Sequence, residues 1–298
     1  MAEFQSMIPF GMKQVLKFPQ ALATRRLLLS SARTKSAVGT VPSGWQKRID
    51  DVTSCPDNEF ITRVPDAGEL SGSFIKMHNG VKVCARGYYG NGILNMLIAS
   101  RGVHEPQEER AFSELLEYLP AEPVMLELGA YWAFYSLSLL QRHPAASCHL
   151  VEPCPIRIES GKINFDANER KGNFEQAYVS DKDSWSWLQG RTISVDGFCA
   201  RKRLSRLHIL HSDIQGHEYK MLNGAHSMLS RQMIDFVLVS THSNSLHSQC
   251  LSVLKSHEYD ILASADMDES FSADGLIVAK RKGVTGPSRI EIAHKRSA

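Results

Sequence analysis

Short apolar runs alternate with stretches of helical periodicity over the last two thirds of the chain. The apolar runs predict strands at residues 124–126, 148–151, 173–179, 207–210, 235–240, 260–263 and 275–280. Amphipathic segments between them, such as 155–168 and 248–257, have the spacing of helices. Strands separated by helices of about 10–15 residues predict an α/β fold with a mostly parallel sheet. The last two strands predict an antiparallel pair at one edge.

The pattern changes before this region. Residues 71–83 alternate around an Asn79-Gly80 turn, which predicts a hairpin. Glu105 and Pro106 open a helix that runs to about Tyr118, with Pro106 suited to its first turn. The chain therefore divides into a basic extension that is partly mobile or helical (1–70), a cap hairpin and helix over the active site (71–120), a catalytic domain (121–283) and a tail (284–298).

The junction after the first main strand carries the strongest chemical signal. An apolar strand ends in Glu127, Gly129 follows, and a second strand ends in Glu152. Acids at two neighbouring strand tips lie in the crevice where α/β folds bind nucleotides and suit the hydroxyls of a ribose. A dinucleotide would need small glycines for its pyrophosphate, whereas residues 130–134 read Ala-Tyr-Trp-Ala-Phe. S-Adenosylmethionine has no phosphate, so the pattern favours it over a nicotinamide cofactor.

Composition narrows the function classes further. Apolar residues make up 43% and charged residues 22% of 298, as in ordinary globular proteins, and the net charge is +2. No apolar run approaches the ~20 residues that span a bilayer. Eight basic residues and no acid lie between Phe4 and Ile49. The part of this stretch up to Lys35 is either an organellar transit peptide or, as we favour, a basic arm or an amphipathic helix that covers the core.

The remaining charge and the cysteines bear on partners and compartment. Outside the basic stretch the chain is mildly acidic, which argues against a nucleic-acid-binding catalytic face. Six cysteines without Cys-x-x-Cys spacing indicate free thiols in a reducing compartment. We therefore expect a cytoplasmic protein, or alternatively an organellar one, that acts on a small molecule and has no membrane span. The sequence leaves its oligomeric state open.

Several motifs in order resemble the FkbM-type S-adenosylmethionine-dependent methyltransferases, from about Met125 to Lys280. The matching segments are Glu127-Leu128-Gly129-Ala130, Glu152-Pro153, Tyr178-Val179-Ser180, Val195-Asp196 and Asp213-Ile214-Gln215-Gly216-His217-Glu218. The resemblance implies the Rossmann-like fold of class I methyltransferases and methyl transfer to an oxygen, sometimes a nitrogen, of a sugar or other small molecule. The predicted cofactor-binding residues are Glu127, Gly129, Ala130, Tyr131, Glu152, Val179 and Ser180.

Two positions depart from the family pattern. Glu127 replaces the usual Asp, and Tyr131-Trp132-Ala133 replaces Asn-x-Gly. These bulkier residues narrow the cofactor pocket or stack against it. They are also the best support for an alternative, a non-catalytic binding module that uses a methyltransferase fold.

Polar residues at two later strand ends are the catalytic candidates: His211, Asp213 and His242. His242 as a neutral general base is favoured, since its ordinary pKa of about 6.5 suits that role. Alternatively, Asp213 and His242 hold a divalent cation, although few carboxylates make this a poor site for Mg²⁺. A third interpretation is that these residues merely cap helices. Tyr88, Tyr89 and His104 are candidate substrate contacts, and Trp185 and Trp187 either line a pocket or pack.

Overall fold

The computed structural model describes residues 17–188 and 190–295, and its centre is a seven-stranded sheet. The strands follow the order β12-β13-β11-β10-β4-β5-β6. Their bounds are β4 (Val124–Leu128), β5 (Ser147–Val151), β6 (Asn173–Glu175), β10 (Leu207–Ser212), β11 (Ile234–Thr241), β12 (Tyr259–Ala265) and β13 (Gly275–Arg281). This is the mostly parallel, Rossmann-like sheet that the sequence predicts.

The central strands are parallel, and the helices that connect them cover both faces of the sheet. β11 is buried at every position, and β4 and β10 are buried almost throughout. Such strands read as continuous apolar runs rather than as alternating ones. β12 and β13 form the predicted antiparallel pair, but β13 lies inside the sheet, between β12 and β11. The first residues of β13 therefore lie at the edge where the parallel strands end.

Eleven helices surround the sheets in the described part of the chain. Their bounds are α1 (Lys17–Leu28), α2 (Ser31–Lys35), α3 (Trp45–Ser54), α4 (Asn91–Ala99), α5 (Pro106–Leu116), α6 (Phe134–Arg142), α7 (Pro155–Ala167), α8 (Val195–Lys202), α9 (Glu218–Asn223), α10 (His226–Ser230) and α11 (Asn244–Ser256). None of the helices among these residues is long and apolar enough to cross a membrane.

The predicted strand at 173–179 is two strands in two sheets. β6 ends at Glu175, and the chain leaves the main sheet before β7 (Tyr178–Val179). β7 pairs with β9 (Gly190–Ile193) in parallel, and β8 (Ser184–Ser186) pairs with β9 antiparallel. At the break, Gln176 Nε2 donates to the carbonyl of Pro153 at 3.0 Å. Val179 and Ser180 therefore lie on a small side sheet beside the main one.

The segment before the catalytic domain packs into the same core. The predicted hairpin is present as β2 (Phe74–Lys76) and β3 (Lys82–Cys84), with β1 (Leu70–Ser71) added at the side of β2. The sequence did not predict α4, whose residues from Gly92 to Leu97 are all buried. Side chains of α4 and α5 belong to one apolar cluster with those of β4 and α6.

The basic N-terminal extension is partly described. Residues 1–16 lie outside the described part, as do residues 296–298 of the predicted tail. α1 lies against α7, where Arg25 pairs with Glu159 and, at 2.6 Å, with Asp166. Leu28 is buried in a small cluster with Cys84 and Ile163. These contacts attach the extension to the domain.

Candidate active site

The loop after β4 is held by backbone contacts that only glycine allows. Gly129 has a φ of +76°, and a Cβ built there would lie 1.7 Å from the carbonyl oxygen of Asp213. The amides of Gly129 and Ala130 donate to the carbonyl of Val151 at 2.9 and 3.1 Å. Glu127 is buried, where its Oε2 accepts from the amide of Ser136 at 3.1 Å. Burial raises the pKa of Glu127 above its ordinary value.

The residues that depart from the family pattern keep an unusual backbone. Tyr131 and Ala133 have φ values of +36° and +61°, in the left-handed region that Asn and Gly adopt most readily. The loop thus has the conformation that Asn and Gly adopt readily. Tyr131 and Ala133 adopt it at a higher conformational free energy. The Tyr131 ring lies under the guanidinium of Arg157, 4.5 Å from its centroid.

Glu152 lies at the tip of β5 as predicted from the sequence. Its side chain is buried, and Oε1 accepts from the amide of Cys154 at 2.8 Å. Burial raises the pKa of Glu152 to about 7, although that hydrogen bond and the charge of Arg157 act in the opposite direction. This carboxyl group is therefore close to half ionised at neutral pH.

A cavity of about 650 Å³ opens between the main sheet and the side sheet. It brings together five of the predicted site residues: Gly129, Glu152, Val179, Ser180 and Asp213. Arg157, Ile214, Gln215 and Lys220 add to its walls. Its volume lies in the range of roughly 300–1,000 Å³ that is typical of small-molecule sites.

His242 lies at the end of β11 among three carboxylates. Its Nδ1 is 2.8 Å from Glu218 Oε1, and its Nε2 is 3.3 Å from Asp213 Oδ1 and from Asp274 Oδ1. Burial alone lowers the pKa of this imidazole. Hydrogen bonds to Asp213 and Glu218, with the charge of Asp274, outweigh burial and raise it to about 10. His242 therefore carries a positive charge at neutral pH, which differs from the neutral base that its ordinary pKa predicts.

Asp274 belongs to the same cluster and was not among the predicted site residues. It directly precedes β13, and because β13 runs antiparallel, its start meets the ends of β10 and β11. Burial and the charges of Glu105 and Asp213 raise the pKa of Asp274 to about 7. The sequence signal that could have identified Asp274 is the antiparallel direction of the last strand. Such a strand begins at the edge of the sheet where the parallel strands end.

Two other predicted histidines lie in buried ion pairs. His211 Nε2 is 2.7 Å from Glu108 Oε1 beneath α5, and its Nδ1 is buried without a hydrogen-bond partner. His104 pairs with Glu109 and, at 3.0 Å, with Glu105. Burial lowers the pKa of His104, but these carboxylates outweigh it and raise the pKa to about 10. The pair of His211 with Glu108 therefore joins the domain to the cap, whereas the pairs of His104 lie within the cap.

The aromatic candidates form one stack beside the loop after β4. Tyr88 is buried and lies parallel to Trp132, with ring centroids 4.3 Å apart. Tyr89 is 46% exposed, and its ring meets the edge of Tyr131 at 5.5 Å. Tyr89 is therefore the exposed member of this stack, and neither Tyr89 nor Tyr131 is among the residues that line the cavity.

The metal hypothesis rested on Asp213 and His242. Within residues 17–188 and 190–295, no three or more His, Cys, Asp or Glu side chains are arranged to hold a metal ion. Asp213 and His242 contact each other, and both nitrogens of the imidazole face carboxylates.

Comparison with protein families gives one decisive match. The model of the methyltransferase FkbM domain matches residues 127–261, from Glu127 of the first motif to β12. Over this segment, which is just under half of the chain, the protein is similar to that domain. Its strand order and its acidic strand tips agree with the S-adenosylmethionine-dependent methyltransferase that the sequence motifs indicate.

A search of solved structures gives matches of low identity. The precorrin-6y C5,15-methyltransferase of Geobacter metallireducens is 14% identical, with a TM-score of 0.43 over 59% of this chain and 89% of its own. TrmK of M. capricolum, solved with S-adenosyl-homocysteine, is 11% identical, with a TM-score of 0.40 over 58% of this chain and 68% of its own. A comparison with curated proteins gives no match.

Proposed function

We propose that this protein transfers a methyl group to a hydroxyl of a sugar or another polyhydroxylated small molecule. One observation supports this most directly. The cavity that contains Gly129 and Glu152 also contains Asp213, which contacts His242. A cofactor site and a proton-accepting cluster are thus neighbours.

The walls of the cavity suit S-adenosylmethionine, which supplies an activated methyl group when bound. Glu152 would accept hydrogen bonds from the ribose hydroxyls, since its carboxylate lines the cavity at the tip of β5. Val179 and Ile214 offer apolar wall for the adenine, and Ser180 offers a hydroxyl at its rim. The turn at Gly129, which lines the cavity, would lie beside the methionine end.

The acceptor side would be built by the cap and by the strand ends together. Asp213 and Asp274 share the imidazolium of His242, which orients their carboxylates. Asp274 would take the acceptor's hydroxyl proton while His242 stays charged, because the pKa of Asp274 is raised to about 7 and a base with a pKa near the working pH is the most effective. A divalent cation held by Asp213 and His242 is the alternative, and it predicts loss of activity in EDTA with recovery on adding Mg²⁺.

A second acceptor class is favoured by the excess of acids. Glu105, Asp213 and Asp274 lie close enough for the first two to raise the pKa of the third. Three such carboxylates would also attract an amine, so N-methylation is the alternative to O-methylation. Transfer of tritium from methyl-labelled cofactor to panels of polyols and of amines separates the two.

Isothermal titration with S-adenosylmethionine, S-adenosylhomocysteine and NADH tests the cofactor site. We expect the first two to bind at one site per chain and NADH not to bind. Tight cofactor binding with no labelled product from any acceptor panel would favour the non-catalytic binding module. Binding of NADH alone would contradict the proposal.

The pH dependence of cofactor binding tests the role of Glu152. The folded pKa of Glu152 is raised to about 7, so the carboxylate form predominates only above that pH. An ionised acceptor makes hydrogen bonds worth about twice those of a neutral one, and S-adenosylhomocysteine affinity should rise about tenfold as the pH passes upward through 7. Glu152→Gln keeps the shape but cannot ionise, so its affinity should stay flat. An equal rise in both proteins would remove Glu152 from the ribose site.

A further inference from the structure

The hairpin of the side sheet ends in an exposed apolar tip. Trp185, Trp187 and Leu188 are 56%, 77% and 75% exposed, and we call these three residues the apolar tip. The two indole rings contact each other edge to face, with centroids 4.6 Å apart. Large apolar side chains rarely cluster in water without a partner, since their exposure forgoes the free energy of burial.

Basic side chains lie beside this tip. Arg191 is directly opposite Trp185 in the β8–β9 ladder, so both side chains stand on the same face of the hairpin. Arg191, Arg201 and Lys202 all pair with one carboxylate, Glu175, at 2.6 to 3.2 Å. We call these three cations the basic cluster, and each is about a third or more exposed.

The basic cluster keeps an excess of positive charge. Three cations share Glu175, whose side chain is only 12% exposed. The next carboxylate, Asp183, is 3.7 Å from Arg201, but its Oδ1 accepts from the amide and hydroxyl of Ser194. The three cations can therefore contact an anionic surface while their ion pairs with Glu175 remain intact.

We propose that the apolar tip and the basic cluster together form a docking surface for an anionic lipid bilayer. Indole rings prefer the boundary between headgroups and acyl chains, and the leucine at the tip would enter the apolar layer. The cations would meet the anionic headgroups, which attract basic residues near the surface electrostatically. The protein would bind at the surface of the bilayer and would not cross it.

Single-stranded nucleic acid is the other polymer that aromatic and basic residues commonly bind. It needs aromatic faces on which successive bases stack. Here the two indoles meet at an interplanar angle of 76°, so they do not form parallel platforms, and Leu188 offers no ring at all. Charge and shape together therefore favour the bilayer.

Co-sedimentation of the full chain with vesicles tests the proposal. We expect binding to vesicles of phosphatidylcholine mixed with phosphatidylserine, much weaker binding to phosphatidylcholine alone, and weakening as salt is added. Tryptophan emission should shift to the blue on binding. Trp132 is buried and should contribute little to that shift.

Variants distinguish the tip from the rest of the surface. Trp185→Ser with Trp187→Ser should lower the affinity for mixed vesicles about tenfold or more and abolish the blue shift. Arg191→Gln with Lys202→Gln should lower it by a similar factor and flatten the salt dependence. The matched control changes Leu22 and Leu27 of the basic α1 to Ser, which are 51% and 47% exposed. This control should bind vesicles as the natural chain does.

Three outcomes would overturn the proposal: no vesicle binding by the natural chain, binding lost in the α1 variant and kept in the tip variant, or binding of a single-stranded RNA oligonucleotide that the tip variant loses. Each variant is first checked for S-adenosylhomocysteine binding and cooperative unfolding. Since the changed side chains are exposed and lie outside the cavity lining, both should be preserved.

Discussion

Single residues decide how closely the loops of the site approach each other. At Gly129 an added Cβ would overlap the carbonyl of Asp213, whereas at Gly216 it would meet no atom within 4 Å. Both glycines have positive φ values, +76° and +97°. Gly216→Ala should cost only the backbone strain, about 1–2 kcal/mol of unfolding free energy. Gly129→Ala should cost about 3 kcal/mol more, because two loops must separate. Urea unfolding measures both.

Gly216→Ala is the control for Gly129→Ala. Both variants have the backbone strain of a positive φ, but only Gly129→Ala also has the overlap with the carbonyl of Asp213. S-Adenosylhomocysteine binding should fall in Gly129→Ala and persist in Gly216→Ala. Similar losses of stability in both would show that the contact between Gly129 and Asp213 yields easily, and that the glycine is needed for its φ value alone.

Part of the cavity lining was predictable residue by residue. An acid at a strand tip and a glycine after it are local signals, so Gly129 and Glu152 were found from the sequence and lie together in the cavity. Asp274 was missed, because its place depends on β13 running antiparallel inside the sheet. The charge state of His242 was also beyond the sequence, since it depends on carboxylates from three separate segments.

At the scale of elements, α5 is fastened across two strands by one side chain. Glu108 is 2.7 Å from His211 of β10 and accepts from Ser240 of β11 at 2.9 Å. Replacing either ionic partner leaves a buried group unpaired. Glu108→Ala and His211→Ala should each cost about 3–5 kcal/mol of unfolding free energy. The double variant should be destabilised by about 1–3 kcal/mol less than the sum of the two single variants. The second substitution removes an interaction that the first has already broken.

Ser113→Ala on the same helix is the control, since Ser113 is exposed and its loss should change stability by less than about 0.5 kcal/mol. Chemical denaturation of the four variants completes the cycle. Strictly additive costs would mean that the contact between Glu108 and His211 contributes no coupling.

Elements were predicted well where periodicity or apolar runs were strong. Every main-sheet strand was found, and the hairpin around Asn79 was found from its turn. α4 was missed because its buried residues, Ile93 to Leu97, are nearly all apolar and show no amphipathic period. The break between β6 and β7 was missed because local sequence propensity does not indicate it. The contact of Gln176 with the carbonyl of Pro153 at the break joins residues that are distant in the sequence.

At the scale of the whole molecule, cap and catalytic domain share their interior. Ile93, Leu97 and Phe112 from the cap belong to one buried cluster with Met125 and Leu137. A piece spanning residues 121–283 would expose this surface to water. We expect that piece to aggregate or to unfold without cooperativity, whereas the full chain should give a single sharp urea transition.

A cooperative transition in the 121–283 piece, with a denaturant dependence in proportion to its length, would contradict a shared core. Mixing separately purified cap with that piece gives a second readout. If the interior is shared, S-adenosylhomocysteine binding should return only when both parts are present.

The matched family segment contains the residues that line the cavity, whereas two carboxylates of the proposed acceptor side lie outside it. Glu105 precedes residues 127–261, and Asp274 follows them. Under the proposed function, changes in those flanks would alter which compound is methylated without changing the matched segment. Choice of substrate and use of cofactor would then evolve separately, and a match over the segment would say little about a shared product.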